Sequence, residues 1–284
     1  MLGVLVIAGI VGMLDLAATR LYVGHMRRLV EENPVTTSYM ERAIDSGRGP
    51  RDWRWTPLDS IPAIASCAVV FAENRTFFKI GTLDWPSQRA MFQRVLHGDF
   101  SRGSSGIVQQ LARNLYLGPQ RTPRRKAREY LLAWQLSHTL TKDRQLEIYL
   151  NVVEWGEGIW GIGDASRHYF GRPPAELTPT QTIMLATLLP APRRGLKYTA
   201  SESVGKRMDL IASMLRDALL LDELTWGATV ERMARVRAEM RKGRSAADAT
   251  ASVDSLMGPE PRAVPLNGAG DWPLEEACNY DRRR

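Results

Sequence analysis

Two glutamates stand where their surroundings demand a reason. Glu73 closes an apolar run that begins at Ala63, AIASCAVVFAE. An ionised carboxylate there is costly unless it faces water or is kept for chemistry. Glu129 follows residues 102–128, RGSSGIVQQLARNLYLGPQRTPRRKAR, which hold seven basic residues and no acidic one. Guanidiniums gathered this way suit a pyrophosphate, because each fork matches two oxygens and keeps its charge at any working pH. The chemistry on offer is a carboxylate that moves a proton beside a diphosphate that needs neutralising.

The elements that must position these groups read as helices. Ser60 and Pro62 open the helix that ends in Glu73. The RGSSG turn, with backbone amides able to meet an anion, leads into a helix where Gln110, Arg113 and Asn114 share one face at i, i+3, i+4. Ile107, Leu111 and Leu115 anchor its other side. Thr122 and Pro123 open the next helix, with Arg121 just ahead of the cap. On it Arg125, Arg128 and Glu129 form a polar stripe facing a cleft or water, while Ala127, Leu131, Trp134 and His138 are expected to point to the core. Thr178, Pro179 and Gln181 write a capping box. Two further helices are expected over 202–221 and 225–242, the first packing through Met208, Ile211, Met214, Leu215 and Leu219. The tail from Gly243 onward reads as loop.

Composition sets the outer limits. The chain has 284 residues, 44% of them hydrophobic, which allows one or two cored domains. A net charge of +7 and a pI near 9.6 point to an anionic partner. Nucleic acid is set aside, since the basic run lacks interleaved aromatics and fits no helix-turn-helix or finger pattern. Cys67 reads as a small buried hydrophobe, and no disulfide framework or metal spacing is visible with Cys278 so distant. Leu2–Leu14 carries no charge, and the apolar character resumes after Asp15, so residues 1–23 are expected to form a transmembrane anchor. Arg20, Arg27 and Arg28 follow that segment, against the orientation that puts the N-terminus inside. Residues 24–56 read as a linker.

Five blocks within residues 57–192 resemble, in order, the glycosyltransferase domain that polymerises peptidoglycan, as found in monofunctional transglycosylases and in bifunctional penicillin-binding proteins. They are Glu73-Asn74-Arg75-Thr76-Phe77 with Asp84-Trp85, then GSSGIVQQ from Gly103 to Gln110, then RKARE from Arg125 to Glu129. LEIYLN from Leu146 to Asn151 runs on into Val153–Gly171, and the segment around Thr178–Pro192 closes the series.

The resemblance implies a mostly α fold: a lysozyme-like helical domain over 57–221 with a small membrane-facing jaw, the N-terminal transmembrane helix, and a C-terminal helix with a flexible tail over 222–284. It implies catalysis by Glu73 as general base and by Glu129 near the leaving diphosphate, where it orients that group or a divalent cation such as Mg2+. Substrate binding falls to Gln110, Arg113, Asn114, Arg121, Arg125 and Arg128. No organic cofactor is implied. The partners are lipid II, the growing glycan strand, the membrane and other cell-wall synthesis proteins, with the catalytic domain on the outer face of the cytoplasmic membrane. No transpeptidase domain is in view, so the chain reads as monofunctional.

Departures from the family pattern are concentrated near the first two blocks. Asn74 replaces an aspartate, Ile80 a histidine and Thr82 a glycine; Gly106 and Val108 replace threonines, and Arg113 a lysine. Each lost hydroxyl contact to substrate is worth about 0.5–1.5 kcal/mol. Losing the aspartate's charge weakens Glu73 as a base, whereas a nonpolar setting strengthens it. The rival reading is a degenerate transglycosylase fold that binds lipid II or glycan, or scaffolds wall synthesis, without turnover. A glycan hydrolase on the same fold would not need the arginines. Glu147 and Glu154 read as structural ion-pair partners, and Trp155 and Trp160 as core residues or sugar-stacking ones.

Overall fold

The computed structural model describes residues 19–50, 52–79, 105–120, 122–261 and 273–279. In chain order its helices are α1 (Val23–Arg28), α2 (Ser38–Asp45), α3 (Ala63–Glu73), α4 (Ile107–Tyr116), α5 (Pro123–Thr139) and α6 (Lys142–Val152). After the hairpin of β1 (Glu154–Gly156) and β2 (Ile159–Trp160) come α7 (Gly161–Phe170), α8 (Pro179–Ala186), α9 (Glu202–Asp217), α10 (Glu223–Arg241), α11 (Ala246–Met257) and α12 (Leu274–Ala277). The fold is mostly helical, as expected. Among the described residues no helix is long and apolar enough to cross a membrane. Residues 1–18 of the expected anchor lie outside them, as do Arg121, Asp84, Trp85 and Gly103.

The chain divides into two compact units, Met1–Gly49 with Ile80–Val152, and Pro50–Lys79 with Val153–Arg284. In the first, α4 packs on α5, α6 and α2, and α1 on α5. Part of the expected linker belongs to this core: Met26, Leu29, Met40 and Ala43 are buried. The Thr37 side chain accepts from the Met40 amide and starts α2, a cap hidden in an otherwise polar stretch. Thr122 caps α5 as expected, accepting from the Arg125 amide at 3.1 Å.

The core face of α5 is not the expected one. Glu129, Leu132, Ala133 and Leu136 are buried, and Leu140 continues the stripe. Trp134 is 50% exposed, and Ala127 and His138 are also on the outside. Apolar residues occupy two faces of this helix, so periodicity alone could not choose, and a glutamate counts against the face that is buried. His138 forms only a local contact, its Nδ1 lying 2.7 Å from the Trp134 carbonyl oxygen.

In the second unit α3 is the central helix. Every residue from Ile64 to Phe71 is buried, so α3 is covered on all sides, by α8, α9 and α12 among others. Pro62, not Ser60, immediately precedes α3; Leu58–Ser60 is a separate short 3-10 turn. The capping box of Thr178 and Gln181 is present in both halves. Trp155 and Trp160 are buried and supply core rather than an open stacking surface. Gly171 ends α7 with φ 68°, in the left-handed region that a glycine adopts without strain.

Two expectations fail in this unit. The tail read as loop contains α11, capped by Ser245 on the Asp248 amide and buried through Ala246, Ala249, Thr250 and Val253. Small apolar residues gave that helix too weak a pattern to stand out. Cys67 is not a free thiol: it forms a disulfide with Cys278, which joins α3 to the residue after α12 across 211 positions of sequence. Separation along the chain says nothing about separation in space, and two cysteines alone gave no framework to read.

Candidate functional site

The first unit gathers several expected residues around Glu129. The turn of α5 that carries it also carries Arg125 and Lys126. Arg125 Nη1 donates to Glu129 Oε2 at 2.5 Å, and Lys126 Nζ donates to Oε1. Ser105 Oγ donates to the same Oε1 at 3.5 Å. Lys126 Nζ also reaches Ser105 Oγ at 2.8 Å and Gln109 Oε1 at 3.3 Å. Burial lowers the Lys126 pKa; Glu129 opposes that, and the charges of Arg113 and Arg125 add to it. Two cations, Arg125 and Lys126, thus hold one carboxylate, and the charge of Arg113 is felt at Lys126. Their surplus positive charge is available to an incoming anion.

Glu129 itself is fully buried. A carboxylate closed to solvent acts on a ligand through the groups that it holds, here Arg125 and Lys126. Both its oxygens already accept from cations, so this carboxylate does not fit as a seat for Mg2+ or another divalent ion. Lys126, Ser105 and Gln109 were quoted in the sequence blocks without a role. Their signal was their place in two blocks whose ends the fold joins.

Gln110 and Asn114 lie on α4 as expected. Gln110 Nε2 donates to the Ser105 carbonyl oxygen at 2.9 Å, and Tyr149 Oη donates to Gln110 Oε1 at 3.2 Å, which fixes the amide. Asn114 is buried. Arg113 holds its guanidinium 6.0 Å from the centre of the Tyr39 ring, with Nε buried. Arg128 turns to a cavity of about 440 Å³ that is also lined by Arg42, Arg124 and Arg125.

Glu73 belongs to the second unit, at the last turn of α3. Its side chain is 9% exposed, and its surroundings are not the nonpolar pocket expected: Arg207 Nη2, from α9, donates to Glu73 Oε1 at 3.1 Å. The same nitrogen donates to the carbonyl oxygen of Ala72 at 2.5 Å, one of the terminal carbonyls that a helix leaves without an intrahelical partner. Arg207 therefore fixes both the helix end and the carboxylate on it. The sequence offered it no motif. Thr76 Oγ1 donates to Asn74 Oδ1 at 3.1 Å, so the residue replacing the family aspartate is held locally.

The other expected acids are structural. Arg144 Nη1 pairs with Glu147 Oε2 at 2.6 Å, and Arg193 Nε with Glu154 Oε2 at 3.1 Å. Arg193 also borders a cavity of about 690 Å³ in the second unit, with Asp164, Arg167 and Lys197. Burial raises the Asp164 carboxyl from 3.8 to about 6, against the opposing pull of Arg167. A raised acid pKa stabilises the fold below the unfolded value and loses that contribution as pH rises through the folded one. Asp164→Asn is therefore expected to flatten the stability curve between about pH 4 and 6, by about 1 kcal/mol or less because the site is partly solvated. Urea unfolding of both proteins across that range measures it.

Similarity to known proteins covers the same ground. The transglycosylase family matches residues 41–216. The biosynthetic peptidoglycan transglycosylase of Alcanivorax borkumensis is 41% identical over 172 residues, 60% of this chain and 69% of that protein. The protein of that name from Herminiimonas arsenicoxydans is 34% identical over 197 residues, 67% of this chain and 85% of its own length. The one from Aromatoleum aromaticum is 40% identical over 168 residues, 57% of this chain and 73% of that protein. With more than half of its residues matched, and Glu73 and Glu129 both inside the matched span, this chain belongs to the transglycosylase family.

Proposed function

We propose that the chain polymerises the glycan strands of peptidoglycan by direct transfer between lipid-linked sugars. It is a peptidoglycan glycosyltransferase of the cell wall, acting outside the cytoplasm. The sugar hydroxyl of lipid II attacks the anomeric carbon of a glycan held on polyprenyl pyrophosphate. The new β-1,4 C–O bond forms as the bond to the diphosphate breaks, with inversion, and the hydroxyl proton passes to Glu73. Arg207 aims that carboxylate. Arg113, Arg121, Arg125 and Arg128 take up the negative charge that grows on the departing diphosphate, with Lys126 beside them. Glu129 sets the directions of Arg125 and Lys126, and Gln110 and Asn114 supply the polar face that meets substrate.

The observation that carries this reading is the surplus of cations on the buried Glu129, in a chain whose family is one of transglycosylases. An anionic, lipid-linked substrate calls for such a surplus beside a membrane. A lysozyme-like domain with a jaw, and a single anchor over residues 1–23 in the cytoplasmic membrane, complete the picture. The Cys67–Cys278 bridge supports the outer side, since disulfides persist in oxidising compartments.

Polymerisation of purified lipid II in detergent tests the proposal. Glycan products longer than the disaccharide are expected, and none with Glu73→Gln. If the wild-type chain binds lipid II yet turns nothing over, the scaffold reading stands instead; release of muropeptides from intact sacculi would mark a hydrolase.

A further inference from the structure

The family match ends at residue 216, and α10 begins beyond it at Glu223. This helix packs on α9, which carries Arg207. Ser201 stands at the cap position of α9, yet its side chain caps no amide, and its Oγ is buried without a partner. A helix start of this kind is only loosely fixed by its own sequence. α10 supplies the hold. Arg237 Nε donates to the Thr199 carbonyl oxygen at 3.1 Å, and its Nη2 donates to that of Ser201 at 2.9 Å. One turn later Arg241 Nη1 donates to the Ala200 carbonyl oxygen at 3.2 Å. Three successive carbonyls ahead of α9 are thus gripped by two arginines of one helix.

Gly205 makes room for this grip. A Cβ there would overlap Arg237 Cζ and both terminal nitrogens, so the guanidinium lies against α9 only because the position is glycine. Glycine inside a helix weakens it, and the close approach of Arg237 accounts for one here. Arg207 follows two residues later, about 200° further round the helix. One turn of α9 therefore meets α10 on one side and α3 on the other. On the α3 side Arg207 Nη2 donates to the Ala72 carbonyl oxygen and to Glu73 Oε1. A shift at the start of α9 is passed to the guanidinium that aims Glu73.

We infer that Arg237 is a positioning residue for glycan transfer: held across Gly205 on the carbonyls ahead of α9, it keeps Arg207 on the Glu73 carboxylate. The inference rests on the reading of Glu73 as the base that takes the hydroxyl proton. Arg237 acts only through Arg207. A helix outside the matched span thereby sets the geometry of a group inside it.

Initial rates of glycan formation by the full chain from purified lipid II in detergent provide the test, with thermal unfolding measured alongside. Arg237→Met should lower kcat about tenfold with KM nearly unchanged, and Arg237→Lys, which can still reach one carbonyl, should recover part of the rate. Gly205→Ala separates geometry from stability. It displaces the guanidinium yet favours the helix, so kcat should fall about as far while Tm holds or rises. Arg207→Met combined with Arg237→Met should be hardly slower than Arg207→Met alone, because the second change acts through a residue already removed. Arg235→Met, on an exposed position of the same helix, should match wild type. Wild-type rates for both Arg237→Met and Gly205→Ala overturn the inference, as do losses that multiply in the double variant or that track Tm. A wild-type chain that makes no glycan is a separate failure, which removes the reading of Glu73 and this inference with it.

Discussion

Glu73→Gln lowers lipid II polymerisation by about 10²–10⁴-fold, the range in which a positioned general base contributes. The amide is nearly the same size, so the buried end of α3 keeps its packing and Arg207 keeps an acceptor. Thermal unfolding should hardly move, which separates lost chemistry from lost fold. Arg207→Met tests the same carboxylate from the other side. It leaves Glu73 ionisable but removes the donor that aims it and that closes the Ala72 carbonyl. Misplacement of about 1 Å is enough for a drop of about 10²-fold in kcat. KM should change little, because Arg207 does not bind substrate in this mechanism. Arg207→Lys should restore part of the rate, since one ammonium can reach one of the two acceptors. Initial rates of glycan formation over a range of lipid II concentrations, for all four proteins, give the split; a large rise in KM with unchanged kcat would place Arg207 on the substrate instead.

Cys67→Ala combined with Cys278→Ala lowers stability by about 3–5 kcal/mol. The bridge closes a loop across 211 positions, and in the chain-entropy account the denatured state loses more freedom the longer the loop. Both cysteines are buried, so the unpaired alanines also leave small voids beside α3. For a chain of this size the loss lowers Tm by about 10 °C. Scanning calorimetry of the oxidised wild type against the double variant measures it. A shift below about 2 °C would mean that α12 is held by its packing alone.

How much of this was legible in the sequence depended on how local each cause was. Thr122 and the Thr178–Gln181 box could be read, because a cap is written within four residues. The apolar run into Glu73 announced a buried helix, and Phe71 and Val70 do lie inside. The face of α5 could not be read. Trp134 looks like core by size, Glu129 looks like surface by charge, and the fold reverses both because Arg125 and Lys126 come with the carboxylate and neutralise it. Arg207 was invisible for a different reason: its meaning lies in a contact with a residue 134 positions earlier. Cys278 shares that fate. The family blocks located Glu73 and Glu129 but not the groups that hold them, since a motif records neighbours in the chain and a site is made of neighbours in space.

The grip of Arg207 on the end of α3 ties catalytic competence to the order in which the molecule is made. Glu73 is synthesised long before α9, and its hydrogen bond from Arg207 forms only when α9 docks. Contacts of such long sequence separation form late and together with the rest of the tertiary structure. A nascent chain consequently lacks this contact through most of its synthesis, and it gains the aimed carboxylate only once α9 has been made and has docked.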